Sequence, residues 1–286
     1  MQWITSRFTI DLSRPQVMGI VNVTPDSFSD GGAHDNTKAA LQHCEQLLRD
    51  GADILDIGGE SSRPGATPLP LAQELARVLP VLREAVCFGV PISVDSYKPQ
   101  VMQAALDLGA DIINDIWALR WREPGADGEP TAVDVIAAHG RCGVCLMHMH
   151  REPQTMQVEP MAGDVVAQVR RFLERAAQRL QARGVHKERI VLDPGIGFGK
   201  TVAQNFSLLA RQRELLASGH ALLVGWSRKS SLAGMSGRGE ALQASQRLMP
   251  SVAAALLAVE RGAAVVRVHD VRETVQALQV LRAIEP

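Results

Sequence analysis

The chain has 286 residues, 46% hydrophobic and 21% charged, a composition typical of a globular α/β protein. A formal net charge of -1, without a long run of Lys and Arg, argues against a nucleic-acid-binding surface. The longest apolar stretch near the C-terminus, VAAALLAV, is too short to span a bilayer, and the first residues contain no apolar signal segment. Four scattered cysteines do not form a disulfide framework. We therefore expect a soluble, cytoplasmic protein with reduced thiols.

The opening segment alternates Phe8, Ile10 and Leu12 with polar residues, which predicts a small hairpin. Eight apolar, β-rich runs then recur, near residues 17–23, 53–58, 91–95, 110–114, 143–148, 189–193, 221–226 and 264–268. Each precedes a stretch with apolar residues three and four apart, as in a helix. Buried strands alternating with helices predict a parallel sheet, and eight such units predict a closed (β/α)8 TIM barrel whose N-terminal mouth the hairpin plugs. We expect one domain over residues 1–286.

Glycine and proline mark the expected helix ends. Gly51, Gly109 and Gly262 each follow a segment of helical spacing, and Pro99 stands where a first helical turn tolerates proline. The one long irregular stretch is predicted at residues 117–130, after the fourth barrel strand, because two tryptophans, two prolines and two glycines fall there.

Polar side chains stand at or just after the carboxyl ends of the predicted strands. In chain order they are Asn22, Glu60, Arg63, Asp95, Asn114, Asp115, His148, Asp193, Ser227, Lys229, Ser230, Arg267 and His269. The carboxyl ends of barrel strands converge on one mouth, where this architecture places its chemistry. One such residue alone is more often a cap or a surface group, but eight strands that end this way favour a shared active site.

Several segments at these positions resemble dihydropteroate synthases. They are NVTPDSFSDGG (22–32), GGESSRPGA (58–66), SVDSYKP (93–99), INDI (113–116), LMHM (146–149), LDPGIGFGK (192–200), SRKS (227–230) and RVHDV (267–271). The first and last are specific, whereas INDI alone would be weak. The resemblance implies a transferase of folate biosynthesis that condenses hydroxymethyl-dihydropterin pyrophosphate with 4-aminobenzoate, with Mg2+ as cofactor.

The resemblance also implies a site for the pterin ring. Asp193 would accept a ring N–H and the neighbouring amino group, because a carboxylate can accept such a donor pair bidentately. Asn114 and Asp95 would make further contacts to the ring edge, and Lys229 would donate on its carbonyl side. The full expected pterin site is Asp95, Asn114, Met147, Asp193, Phe198, Lys229 and Arg267, and the residues expected to act in catalysis are Asp95, Lys229 and Arg63.

The two other ligands are placed by the same resemblance. The expected pyrophosphate site is Asn22, Ser62, Arg63, Arg267 and His269, with Ser62 where the family usually has Thr and with Asn22 as a ligand of Mg2+, a cation that keeps several waters. The expected aminobenzoate site is Phe28, Pro64, Phe198 and Ser230. Phe28 and Pro64 lie in aperiodic segments that fit mobile lids. The SRKS segment is predicted to open a helix whose N-terminus, with Ser230, receives the benzoate carboxylate.

Other chemistries are less well supported by the residues. The GKT segment at 199–201 ends like a P-loop, but the first glycine of that pattern falls on Pro194. Cys142 and Cys145 would face opposite sides of a strand and could not share a zinc ion. Two alternatives stay open: a pterin-binding methyltransferase domain, which needs no pyrophosphate site, and a paralogue that binds pterin pyrophosphate without catalysis.

The segment SVAAALLAV (251–259) is apolar nearly all round, which indicates burial on more than one face. We therefore expect a homodimer that forms through the last helices.

Overall fold

The computed structural model describes residues 1–24, 33–61, 65–123, 125, 128–153, 155–156, 158–237 and 240–284. It opens with an antiparallel hairpin of β1 (Gln2–Ile4) and β2 (Thr9–Asp11). Trp3, Ile10 and Leu12 from this hairpin are buried in one cluster with apolar residues of the barrel interior, such as Met18 and Ile112. The hairpin therefore closes the N-terminal end of the barrel, as the alternating pattern predicted.

Eight further strands come next in chain order. They are β3 (Gln16–Asn22), β4 (Ile54–Gly58), β5 (Ile92–Asp95), β6 (Ile112–Asp115), β7 (Gly143–Met147), β8 (Ile190–Asp193), β9 (Ala221–Val224) and β10 (Val265–Val268). Each pairs in parallel with its neighbours, and the pairing of β10 with β3 closes the barrel. The predicted (β/α)8 TIM barrel is confirmed, with strand bounds within two residues of the predicted runs.

Helices surround the barrel. They are α1 (Ala33–Arg49), α2 (Leu71–Ala85), α3 (Pro99–Asp107), α4 (Ala132–His139), α5 (Val165–Gln181), α6 (Val202–Ala210), α7 (Leu248–Glu260) and α8 (Val271–Ile284). Pro99 occupies the first turn of α3, and Gly51, Gly109 and Gly262 follow helices with positive φ, as predicted. Among the described residues, no helix is both long and apolar enough to cross a membrane.

The alternation of side chains along the strands separates two apolar regions. The larger lies between strands and helices and includes Cys142, whereas the barrel interior includes Cys145. The two thiols face opposite sides of the sheet, which confirms the geometric argument against a shared zinc ion. All four cysteines are free thiols.

Two predictions about irregular segments are wrong. The described part of residues 117–130 is irregular as expected, but the described residues within 148–164 and within 225–247 also contain neither α-helix nor strand. The SRKS segment does not open an α-helix, because only a three-residue 3-10 turn, Ser230–Leu232, follows it. Gly234 and Gly237 come next, and glycine is a poor helix former. The following α-helix begins only at Leu248.

Candidate active site

Strand register brings several of the predicted residues to one level at the mouth of the barrel. Asn22 is the register partner of Gly58, Gly58 of Asp95, and Asp95 of Asn114. On the other side, Met147 is the partner of Asp193. Neighbouring strands lie about 4.8 Å apart, so Asn22, Asp95 and Asn114 are close together. Asn114 pairs with Cys145, so Met147 and Asp193 lie two residues further along their strands, toward the carboxyl ends. Gly58 contributes no side chain there, and a Cβ atom on it would lie 3.3 Å from Asp95 Cβ.

A guanidinium connects three strands across this mouth. Arg267 Nε donates to Asp56 Oδ2 at 2.6 Å, and Arg267 Nη2 donates to Asp95 Oδ2 at 2.7 Å. Asn114 Nδ2 donates to the same oxygen of Asp56 at 3.2 Å. Burial alone would lower the pKa of Arg267, but the carboxylates of Asp56 and Asp95 outweigh it and hold that pKa above its usual value. Arg267 therefore stays charged between its two carboxylates.

Asp56 is a member of this network that was not predicted from the sequence. It is fully buried in the middle of β4, and its second oxygen, Oδ1, has no hydrogen-bond partner. A buried acceptor without a partner costs stability. A signal was present in the sequence, since a single carboxylate interrupts the apolar run ILDIG two positions before the strand ends.

Burial also changes the acidity of Asp95. Desolvation raises the pKa of Asp95 to about 7, with Asp56, Glu74 and Asp115 adding to the rise and Arg267 opposing it. A carboxyl group with this pKa exchanges its proton near neutral pH. It can therefore accept or donate a hydrogen bond to a ligand at little cost.

Two walls can be distinguished at the mouth. Asp95, Asn114 and Arg267 form one wall, and Asp193 and Lys229 form the other. Asp193 Oδ1 accepts a hydrogen bond from the Gly195 N–H at 2.7 Å, and burial raises the pKa of Asp193 to about 6. The Lys229 ammonium lies 4.3 Å from the centroid of the Phe198 ring. Burial lowers the pKa of Lys229 to about 8. This wall presents a carboxylate, an ammonium and an aromatic face, which together can read a flat polar ring.

A second lysine, Lys200, supports the backbone of this wall through hydrogen bonds. Its role was also not predicted from the sequence. Its Nζ donates to the carbonyl oxygens of Gly195 at 2.8 Å, Phe198 at 3.0 Å and His148 at 3.3 Å. Burial lowers the pKa of Lys200 to about 7. The contacts tie the segment after β8 to the end of β7, so the lysine of the rejected P-loop pattern has a structural task.

His269 is held from one side by Ser227. Ser227 Oγ accepts the backbone N–H of His269 at 3.1 Å and lies 2.9 Å from His269 Nδ1. A serine hydroxyl that donates to Nδ1 would leave the proton of the imidazole on Nε2. Ser230, three residues further on, is exposed at the 3-10 turn.

Two of the strand-end residues do not join the mouth. Asp115 accepts the N–H groups of Trp117 and Leu119, at 2.8 and 2.6 Å, and so caps the following loop. His148 is buried, and its ring packs edge-on against Phe172 of α5 at 4.8 Å. The prediction that these two side chains converge on the mouth is wrong. The reason is strand alternation: each follows an inward-facing residue and therefore points outward.

Four predicted residues, Phe28, Ser62, Arg63 and Pro64, lie outside the described residues. Beside the mouth, a cavity of about 850 Å³ opens between the segments that follow β4, β5 and β6. Asp95 lines it together with Glu60, Tyr97 and Trp117. Glu60 is therefore a rim residue, directed toward the segment after β5 rather than toward Asp193.

Comparison of the sequence with known proteins identifies the family to which the chain belongs. Residues 18–269 match the sequence family described as pterin binding enzyme. A dihydropteroate synthase of Neisseria meningitidis serogroup B is 48% identical over 287 aligned positions, which cover 99% of this chain and 97% of that protein.

Solved structures give the same result. The dihydropteroate synthase of Xanthomonas albilineans with 4-aminobenzoic acid has a TM-score of 0.87 and 47% identity, covering 97% of this chain and 96% of that one. That of Burkholderia cenocepacia complexed with 7,8-dihydropteroate has a TM-score of 0.85 and 48% identity, covering 99% and 96%.

Proposed function

Because this chain belongs to the family of pterin-binding enzymes, and within it to the dihydropteroate synthases, we propose a specific task for each residue at its barrel mouth. The reaction is the one for which the family is named: a dihydropterin methyl pyrophosphate and 4-aminobenzoate give dihydropteroate and pyrophosphate, in folate biosynthesis. The observation that carries the proposal is the convergence of Asp95, Asn114, Asp193, Lys229 and Arg267 on that mouth.

The pterin ring lies between the two walls. Asp193 accepts the donor pair of the ring, and Lys229 donates to its carbonyl side. Asn114 and Asp95 contact the remaining edge, and Met147, Phe198 and Arg267 complete the site. The support for this arrangement is that Asp193 and Lys229 carry opposite charges and each affects the pKa of the other, and hydrogen bonds to charged groups are strong.

The pyrophosphate lies at the side of Arg267 and His269, and Ser62 and Arg63 add donors. Asn22 would hold Mg2+ through its side-chain oxygen. Asn22 ends β3 as a partly exposed side chain, and Mg2+ accepts one protein oxygen with waters and phosphate oxygens as its other ligands. The carboxamide oxygen of Asn22, at the carboxyl end of β3, fits such an open site. When bound, the ion would neutralise charge on the pyrophosphate.

The chemistry requires no nucleophile from the protein. The bond between the pterin methylene and the pyrophosphate oxygen breaks, and the electron pair leaves with pyrophosphate. The aminobenzoate nitrogen then bonds to the methylene and loses a proton. Asp95, Lys229 and Arg63 act by positioning the ring and the leaving group and by stabilising charge. Phe28, Pro64, Phe198 and Ser230 hold the aminobenzoate.

We also propose that the chain forms a homodimer and acts in the cytoplasm. Exposed apolar side chains on the last two helices support the dimer: Met249 and Leu257 on α7, and Val280 and Ile284 on α8. Where such side chains form a contiguous patch, the patch is typical of a protein–protein contact. Sedimentation of the purified protein at several concentrations tests the dimer, and a monomer at all of them contradicts it.

One assay tests the function. The purified protein is mixed with pterin pyrophosphate, Mg2+ and 4-aminobenzoate, and the formation of dihydropteroate is measured. We expect catalytic turnover. Tight binding of pterin pyrophosphate without product would instead identify a non-catalytic paralogue, and transfer of a methyl group from methyltetrahydrofolate would identify the methyltransferase alternative.

A further inference from the structure

Residues 59–61, which follow β4 and are here called the arm, are held against α2. Arg77 Nη1 donates to the carbonyl oxygen of Gly59 at 2.9 Å. A Cβ atom on Gly59 would lie 2.8 Å from Val78 Cγ2, so the backbone and α2 are in close contact. Beyond the arm, the Gly65 N–H donates to the carbonyl oxygen of Pro153 at 3.3 Å. The backbone is therefore held at Gly59, in the arm, and again at Gly65.

A buried group of charges lies at the same place. Lys98 Nζ donates to Glu60 Oε2 and, at 2.5 Å, to Glu74 Oε2 of α2. The Tyr97 hydroxyl donates to the other oxygen of Glu60 at 2.8 Å. Both Lys98 and Glu74 are buried. Both oxygens of Glu60, in the middle of the arm, are thus fixed by the segment that follows β5.

The charge of this group argues against direct binding of the pyrophosphate. One ammonium group faces two carboxylates, so the group carries a net negative charge and does not attract an anion such as pyrophosphate. A buried carboxylate pair around one lysine contributes little net stability compared with apolar residues of the same volume. We therefore explain the presence of this charged group by the position in which it holds Glu60.

We propose that Lys98, Glu60 and Glu74 form a positioning cluster that fixes the arm, and through it the binding of the pyrophosphate end of the substrate. Arg63 follows Glu60 by three residues in the sequence, a reach of about 10 Å at most, so the position of the arm limits where Arg63 can act. Lys98 also follows Asp95 by three residues, which connects the arm to the ring site through one short segment. The inference rests on the proposed role of Arg63 toward pyrophosphate.

The test compares two ligands in three variants. Calorimetry measures the affinity for hydroxymethyl-dihydropterin, which has only the ring end, and for its pyrophosphate; steady-state kinetics measure KM and kcat. Lys98→Met should raise KM for the pyrophosphate substrate about tenfold or more, as expected for a misplaced binding group, and leave the affinity for the alcohol unchanged. Lys98→Arg, which can still donate to both carboxylates, should recover most of the loss.

Arg7→Met is the matched control. Arg7 pairs with the buried Asp111 at 2.6 Å, and Asp111 precedes β6 at the opposite end of the barrel. This variant also leaves a buried carboxylate without its cation, so it should lose stability and keep its KM. If Lys98→Met does not fold, Glu60→Gln tests the cluster by the same two affinities, since it removes the charge and keeps the side-chain shape.

Two results would overturn the inference: an unchanged KM in a folded Lys98→Met, or an equal loss of affinity for both ligands. The assay of the unmodified protein separates these from a failure of the proposed function. If the unmodified protein makes no dihydropteroate, the proposed function fails, whereas the ratio of the two affinities still reports on the cluster.

Discussion

The guanidinium of Arg267 donates to the carboxylate of Asp95 at 2.7 Å, which joins β10 to β5 across the barrel mouth although 172 residues separate them in sequence. The same guanidinium contacts Asp56, so its direction is fixed before any ligand binds. A binding group held in place in this way loses little entropy when the substrate arrives.

The first prediction concerns Asp56. Asp56→Asn should lower kcat/KM by a factor that corresponds to a loss of about 2 to 3 kcal/mol in transition-state stabilisation. The reason is that Arg267 and Asn114 lose the charged acceptor that orients them. Steady-state kinetics measure the effect. Asp53→Asn is the control, since Asp53 pairs with Arg14 outside the mouth. A variant with unchanged kcat/KM would show that Asp95 alone orients Arg267.

The second prediction concerns the ring-reading carboxylate. Asp193→Asn should weaken pterin binding by roughly 2 to 5 kcal/mol, because a single amide oxygen then faces two donors and the buried charge is lost. Folding should survive. Calorimetry on the correctly folded variant measures the loss, and an unchanged affinity would remove Asp193 from this role. Asp164→Asn, at the exposed start of α5, is a suitable control.

The third prediction is a pH dependence of pterin affinity. Burial raises the pKa of Asp193 to about 6, against the pull of Lys229, Lys200 and Arg267, and only the ionised carboxylate accepts both donors. Below a pH of about 6 a proton must leave before the ring binds, so affinity should fall toward tenfold per pH unit. Calorimetry between about pH 5 and 8 tests this. In Asp193→Asn the affinity should depend on pH only through Asp95, whose pKa burial raises to about 7, and the dependence should be shallower. The same pH profile in the variant and in the unmodified protein would contradict the assignment.

The fourth prediction is an order of binding. Aminobenzoate should bind appreciably only after pyrophosphate, because Ser62, Arg63 and Pro64 belong to one short segment and the first ligand orders it for the second. The positive coupling should be on the order of 1 to 3 kcal/mol. Labelled aminobenzoate is titrated with and without pyrophosphate and Mg2+. Arg63→Ala should abolish the difference, whereas equal affinities in the unmodified protein would mean a preformed pocket at Lys229, Phe198 and Ser230.

The fifth prediction concerns the mechanism. No covalent bond between pterin and protein should form during turnover, because the proposed reaction proceeds by departure of pyrophosphate and attack by the amine. Mass spectrometry of the intact protein, quenched during turnover with both substrates, should show only the unmodified mass. An adduct of pterin mass would contradict the mechanism.

The local pattern of the chain was sufficient for the barrel. Eight apolar runs separated by helical spacing predicted the strands to within two residues, and glycines marked the helix ends, because these signals depend only on neighbouring residues. The same pattern placed polar residues at the strand ends. It predicted the surroundings of the SRKS segment wrongly, because a helix there would have required the following glycines to be helical.

The direction of individual side chains was decided by the tertiary structure. Asn114 and Asp115 are adjacent in sequence, yet Asn114 contacts Asp56 inside the barrel and Asp115 caps a loop outside it. Their roles depend on which face of the strand each occupies, and strand register and barrel closure fix that face. The partners of Arg267 depend on closure of the barrel, because β10 reaches β4 and β5 only when β10 pairs with β3. The partners of Lys98 and Lys200 depend instead on the pairing of neighbouring strands, β4 with β5 and β7 with β8. Buried charges can be stabilised only by groups that the closed barrel brings within reach, so sequence alone specified the kinds of residue at the mouth, and the fold specified their pairs.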